Sequence, residues 1–232
     1  MSESKPKITA IIFDCDGVLV DSEALALEVE FAAMAELGIA ADPQTHMERY
    51  LGLTGPEFYD AIEREFSRIY NRPLPPDFRA RCQQRYRAAI DSDRLVEISG
   101  ARDFVIKLTC AKAVASSSGV DSLERKLRRT LLWDHFAPHI YSGEHVARGK
   151  PEPDLFLHAA SHVGAKPAAC LVIEDSAHGV AAARRAGMRV WGFTGGAHML
   201  NTAGEHLLDA GAERILRHWR EAEALWKQDQ QV

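Results

Sequence analysis

Cysteine and basic charge are both in short supply in this 232-residue chain, and each shortage removes a class of protein. The four cysteines, Cys15, Cys82, Cys110 and Cys170, are scattered and make no CxxC pair. A small disulfide-stapled domain is therefore excluded, and the usage is that of a reducing, intracellular compartment. Lys and Arg total 28 against 33 Asp and Glu, a net charge of -5, which argues against a nucleic-acid partner gripped through a basic face. No apolar run approaches membrane-spanning length. The opening MSESKPKITAIIFD has only a brief apolar stretch before an acid, so it lacks a signal-peptide core. A cytoplasmic protein with no membrane partner is expected. Internal repeats and low-complexity tracts are also missing.

What remains is ordinary globular composition, 46% hydrophobic and 26% charged, in a chain long enough for one sizeable core or a core plus a small second unit. The pattern changes along the chain. Ile8, Ala10, Ile11, Ile12 and Phe13 read as a strand buried on both faces of a parallel sheet. After about residue 100, helical runs (ARDFVIKL, VDSLERKLRRTLL, PDLFLHAASHVG, HGVAAARRAG) alternate with strand-like runs (AKAVAS, ACLVIED, RVWGF). Such alternation predicts a doubly wound α/β layer built on a parallel sheet. Between them lies a stretch with no strand signal. SEALALEVEFAAMAELG places Leu25, Val29, Ala33 and Leu37 four apart and ends at Gly38; GPEFYDAIEREFSRIY and DFRARCQQRYRAAI follow, separated by NRPLPPD. An all-helical insertion of this kind predicts a core of residues 1–20 and 93–232 and a helical domain of residues 21–92.

The chemistry gathers at strand ends. In IIFDCDGVLVDSE the first strand stops at Asp14 and Asp16, which alternation puts on one face while Cys15 points to the other, and Gly17 lets the backbone turn away. AKAVAS ends in Ser116, Ser117 and Ser118, hydroxyls that suit an anion and equally suit an ordinary helix cap. ACLVIED ends in Glu174 and Asp175, which a solvated loop would also explain. Lys150 lies in GKPEPD, which cannot be regular helix; alone, an exposed lysine serves only solubility. His158 and His162 stand four apart on a predicted helix, but no third ligand or intervening glutamate supports a zinc site.

Together, FDCDGVLVDSE, VASSS, GKPEPD and VIEDSAHGVAAARRAGM, in this order and at these spacings, resemble the four signatures of the haloacid dehalogenase superfamily. The resemblance covers almost the whole chain. It is to the subgroup with a helical cap inserted after the first strand, which includes β-phosphoglucomutases and small sugar phosphatases of the 6-phosphogluconate phosphatase kind. It implies a Rossmann-like α/β core, Mg²⁺ as cofactor and a small phosphorylated metabolite as substrate. Asp14 is then the nucleophile that forms an aspartyl phosphate, and Asp16 the general acid and base, its protonated form favoured by the neighbouring carboxylate. Asp14, the Asp16 carbonyl and Asp175 would hold the metal, with Glu174 supporting a metal-bound water. Lys150, Ser116 and the Ser117 amide would bind the phosphoryl oxygens.

The resemblance also separates the alternatives. β-Phosphoglucomutase carries a histidine about twelve residues beyond its nucleophile, where this chain has Ala26, and a cap arginine where this chain has Gly52, Leu53, Thr54 and Gly55. Both absences count against a phosphomutase, and the presence of Asp16 counts against dehalogenation. A non-catalytic phosphometabolite-binding protein is the remaining alternative. The cap is expected to hinge near Val20 to Ser22 and Asp91 to Val96 and to set specificity. Arg49, Arg64, Arg81 and Arg85 are available for an acidic leaving group but are equally ordinary surface charges.

Overall fold

The computed structural model describes residues 6–39, 50, 55–199 and 203–229. The chain divides into two compact units, one of residues 1–23 and 95–232 and one of residues 24–94. In the first, six parallel strands, β1 (Ala10–Phe13), β2 (Ala111–Ser116), β3 (Ile140–Ser142), β4 (Cys170–Glu174), β5 (Arg189–Phe193) and β6 (Arg214–Leu216), lie in the order β3-β2-β1-β4-β5-β6. The apolar runs of β1 and β4 are buried throughout, as strands covered by helices on both faces must be. β1 sits between β2 and β4, with Phe13 in register with Val114 on one side and Ile173 on the other. This is the point where strand order reverses, and crevices open there beyond the strands' carboxyl ends. Asp14 and Glu174 therefore arrive at one level of that edge, with Ser116 one residue beyond it.

The helices of this unit are α4 (Ala101–Lys107), α5 (Val120–Arg129), α6 (Trp133–Phe136), α7 (Asp154–His162), α8 (Ala177–Arg185), α9 (Ala203–Asp209) and α10 (Trp219–Asp229). The predicted run VDSLERKLRRTLL ends sooner than expected: its helix stops at Arg129, and Leu131 takes a positive φ of 59° before a separate short turn at Trp133. Two strands and three helices (β3, β6, α6, α9 and α10) had no counterpart in the sequence reading. Both strands are three residues long, too short to display a period.

Behind β1 lies an aromatic cluster. The Trp219 ring stacks on Phe104 at 5.3 Å and on Phe193 at 4.8 Å, with Phe13 at 5.9 Å. Its indole N–H donates to the Val18 carbonyl at 3.0 Å. α10 thereby holds the turn that follows Asp16. The two chain crossings between the units are paired at the backbone, Asp21 N–H donating to Val96 at 3.0 Å and Ile98 N–H to Leu19 at 2.9 Å.

The second unit consists, among the described residues, of α1 (Glu23–Glu36, which begins one residue inside the first unit), α2 (Gly55–Tyr70) and α3 (Phe78–Ile90). Its own core includes Met34, Ile62, Phe66 and Phe78, so it packs as a unit. Leu25, Ala33 and Leu37 of the predicted stripe are buried, and Val29 is half-buried. Arg85 and Arg81 both face Glu36, at 2.5 and 3.6 Å, on the exposed surface, and Arg64 is exposed. Arg49, Gly52, Leu53 and Thr54 lie outside the described residues. No described helix is long and apolar enough to cross a membrane.

Candidate functional site

Asp14 follows β1 directly and is buried, as is Glu174 at the end of β4. Lys150 joins them: its ammonium donates to Asp14 Oδ1 at 2.7 Å and to Glu174 Oε1 at 2.6 Å. The lysine head also lies 4.9 Å from the centre of the Phe156 ring, at the start of α7, a favourable seat for a cation. Glu174 Oε2 accepts from the Ser176 N–H at 2.7 Å and its hydroxyl at 2.9 Å, while that hydroxyl caps α8 by accepting from Gly179 N–H at 3.0 Å. Gly179 leaves the space this carboxylate occupies, since a Cβ would fall 1.7 Å from Glu174 Oε1. Each Glu174 oxygen thus has a donor from the chain itself.

Acid outweighs base in this pocket. Asp14, Glu174 and Asp175 offer carboxylate oxygens that lie within 4.8 Å of one another. Burial pushes the Asp14 carboxyl well above the usual carboxylate range; Lys150 opposes the shift, and Glu174, Asp175 and Asp16 reinforce it. Burial likewise pushes Asp175 up to about 6, against the hydrogen bond from His198. Lys150 is itself held above its ordinary value: burial works to lower it, but Asp14 and Glu174 overcome that. Lys150, bonded to Asp14 and Glu174, and His198, beside Asp175, are the basic groups paired with these three acids. These three acids form a group that could hold a metal ion.

Asp16 faces a different environment. Its Oδ1 accepts from Ser22 Oγ and from the ammonium of Lys126, and its Oδ2 from Ser118 Oγ at 2.7 Å and Ser116 Oγ at 3.2 Å. Burial works to raise its carboxyl, yet the charge and hydrogen bond of Lys126, with the Ser22 and Ser118 hydroxyls, hold it down at about 2. This corrects the expectation that a neighbouring carboxylate favours the protonated form. The reason is Lys126, a buried lysine on α5 that lies outside all four motifs.

The serine side chains divide. Ser116 is buried and bonded to Asp16, whereas the Ser117 side chain is exposed and Ser118 supplies the second hydroxyl. His198, in the loop after β5, was not singled out from sequence. It is buried, with Nε2 3.3 Å from Asp175 Oδ2, and it is held above its ordinary value because Asp175, Glu23 and Asp21 outweigh the effect of burial. Glu23, half-buried at the start of α1, is pushed up to about 7 by burial, with Asp16 and Asp175 adding to it. Gly17 takes φ +69°, and a Cβ there would lie 1.9 Å from Asp175 Oδ2 and 2.6 Å from the His198 ring.

Other candidates fall outside this cluster. The Cys15 thiol is fully buried and burial raises it, so it is inert. His178 is exposed in the first turn of α8. The His158 and His162 rings lie 4.1 Å apart, tilted, beside Tyr141, and the group at Asp14 is the one acid, histidine or cysteine cluster suited to a metal among the described residues.

Comparison with known proteins identifies the family. Residues 8–187 match the family model of haloacid dehalogenase-like hydrolases. The chain is 28% identical over 196 residues to 6-phosphogluconate phosphatase of Escherichia coli, covering 83% of this chain and 85% of that one. It is 31% identical over 216 residues to a phosphorylated carbohydrates phosphatase of Thermotoga maritima, covering 90% and 94%. Among solved structures, a family hydrolase of Deinococcus radiodurans with bound phosphate and sodium superposes with a TM-score of 0.82 at 32% identity, covering 96% of each chain. The four motifs, the strand order and the acid cluster around Lys150 are thus found in a chain that belongs to the haloacid dehalogenase-like hydrolase family.

Proposed function

We propose that the protein is a Mg²⁺-dependent phosphatase that hydrolyses small phosphate monoesters of sugars or sugar acids through a phosphoryl group carried on Asp14. The observation that carries this reading is the Lys150 bridge between Asp14 and Glu174, set beside Asp175 at the carboxyl edge of the sheet. A buried carboxylate fixed by a lysine, next to acids that call for a cation, suits attack on a dianionic phosphoryl centre. The substrate class rests on the relatives named for sugar phosphates and sugar-acid phosphates.

In the first half-reaction an Asp14 oxygen forms a bond to phosphorus, the ester P–O bond breaks, and the leaving alkoxide takes a proton from Asp16. In the second, water attacks the same phosphorus, Asp16 receives the proton from water, and the acyl phosphate bond breaks to restore Asp14. The Lys126, Ser22 and Ser118 donors favour the ionised form of Asp16, the form it takes after the first step and from which it accepts the proton of water in the second. Arrival of a phosphoryl dianion beside it favours the proton uptake that the first step needs. Asp14 and Asp175, with the Asp16 carbonyl, would hold Mg²⁺, which when bound supplies positive charge between nucleophile and phosphoryl oxygens. Glu174 spends its oxygens on Lys150 and Ser176, so its part is to orient Lys150 and water near the metal rather than to ligate directly. Lys150, Ser116 and the Ser117 amide are assigned to the phosphoryl oxygens.

Residues 24–94 are assigned the choice of organic group. Ala26 in α1 provides no base for a sugar hydroxyl, which favours water over sugar as acceptor and phosphatase over phosphomutase. The test is a phosphate-release screen over phosphorylated metabolites with Mg²⁺, read as kcat/KM. Release from sugar or sugar-acid phosphates, lost on chelation, is expected. Interconversion of sugar phosphates without release would establish the mutase, and binding without turnover a phosphometabolite-binding protein.

A further inference from the structure

α5 carries four basic residues, and three behave as helix surface charges do. Arg125 pairs with Asp121 at 3.1 Å and Arg128 with Glu124 at 2.7 Å, both exposed and four residues apart, while Arg129 is exposed at the helix end. Lys126 does the opposite. It lies between buried Leu123 and Leu127, and its side chain is 1% exposed. An ammonium withdrawn from water is costly unless paired and hydrogen-bonded, and helix formation alone would be served as well by leucine or methionine. The structure shows where its charge is used. Nζ donates to Asp16 Oδ1 and, at 2.8 Å, to Ser118 Oγ, whose own proton goes to Asp16 Oδ2 at 2.7 Å. Ser116 Oγ, accepting from Ser118 N–H at 3.0 Å, donates to the same oxygen. Ser22 reaches Oδ1 from the other side. One carboxylate is held by four donors drawn from the β1 loop, the β2 end and α5.

We propose that Lys126 is a positioning residue for Asp16: through the Lys126–Ser118–Asp16 triangle it fixes the orientation of the carboxyl that handles the proton in both half-reactions. This inference rests on the phosphatase reading and adds a residue that none of the four motifs contains. Orientation of a proton-transfer group is worth a substantial part of its effect, since a carboxyl free to turn among several hydroxyl partners spends little time aimed at the leaving oxygen. Loss of Lys126 therefore slows the steps that pass through Asp16 and spares the one that does not. Departure of nitrophenolate, a weak base, needs no proton, whereas departure of phenolate benefits from one.

The experiment is a single-turnover comparison of phenyl phosphate and nitrophenyl phosphate with Mg²⁺ on four proteins: wild type, K126M, D16N and the double variant. For K126M the phenyl ester is expected to react about tenfold more slowly, with the single-turnover rate of nitrophenolate release kept within about twofold. In the Asp16→Asn background, K126M is expected to add less than about twofold, because a residue that acts only through Asp16 has nothing left to position. Equal losses on both esters, a full further loss in the double variant, or wild-type rates in K126M would each overturn the positioning role. Turnover of neither ester by the wild type would instead defeat the phosphatase reading. Should K126M not fold, Ser118→Ala removes the shared hydroxyl from the same triangle, and the same selective loss on the phenyl ester is expected.

Discussion

Lys150 and Asp14, separated by 136 positions in sequence, meet at 2.7 Å in a pocket where both side chains are less than a tenth exposed. This contact links the first strand to the loop before α7, and Glu174 shares the same ammonium. Lys150→Met would leave Asp14 and Glu174 as buried, uncompensated neighbours. Removing one partner from such a pair costs about 3–5 kcal/mol. Turnover is expected to fall by at least about a hundredfold, since a cation aimed at the phosphoryl oxygens is lost as well. Thermal denaturation and steady-state kinetics of the purified variant measure the two effects.

Gly17 tests the turn after the acid pair. At φ +69°, alanine is strained, and its methyl would occupy space taken by Asp175 and His198. Gly17→Ala is expected to displace Asp175, so weaker Mn²⁺ binding, read by electron paramagnetic resonance, should accompany the loss of activity. Unaltered Mn²⁺ affinity would show that the turn does not position the metal acids.

The raised acids give the metal-free protein a definite pH response. Asp175 at about 6 and Glu23 at about 7 exceed their ordinary values of 3.8 and 4.5, so between those limits the folded state binds more protons than the unfolded one. The stabilisation from these protons is present at low pH and is lost as pH rises through about 6 to 7. Asp16 acts in reverse: lowered to about 2 from 3.8, its contribution disappears only as pH falls below its ordinary value. The chelated protein should therefore melt at a lower temperature at pH 8 than at pH 5. Mg²⁺, which needs ionised ligands, should raise the melting temperature more at pH 8 than at pH 5. Scanning calorimetry at both pH values, with and without the metal, decides it.

Trp219 ties packing to the site. Its ring stacks on Phe104 and Phe193 while its N–H holds the Val18 carbonyl. Trp219→Ala is expected to cost about 3–5 kcal/mol in denaturant unfolding, as truncation of a buried aromatic does. Trp219→Phe keeps most of the packing but leaves the carbonyl without its donor, a loss of about 1–3 kcal/mol.

Much of this architecture was legible from residues whose pattern is local. The unbroken apolar run before Asp14, the acids closing the fourth strand and the four-residue spacing of Leu25, Val29, Ala33 and Leu37 each declare their element without reference to the rest of the chain. β3 and β6 are too short to show a period, and what makes them strands is the edge they join. Lys126 escaped notice for a related reason. In VDSLERKLRR it reads as one more charge among Arg125, Arg128 and Arg129, and only the packing of α5 turns it inward to Asp16. His198 was hidden likewise, since its partner Asp175 is 23 residues away and reached only through the loop after β5. That Ser116 and Ser118 both turn their hydroxyls to Asp16 depends on the turn after β2, which residue type alone does not reveal.

The most direct test of the account is to look for the phosphoryl group on the enzyme. Wild-type protein mixed with Mg²⁺ and excess nitrophenyl phosphate, quenched in acid within the first turnover and digested, should yield the peptide containing Asp14 with one added phosphoryl group. The label should be missing from Asp14→Asn and from chelated wild type, both of which should fail to release phosphate. Steady phosphate release by the wild type with no phosphorylated peptide at any quench time, or undiminished release by Asp14→Asn, would contradict it.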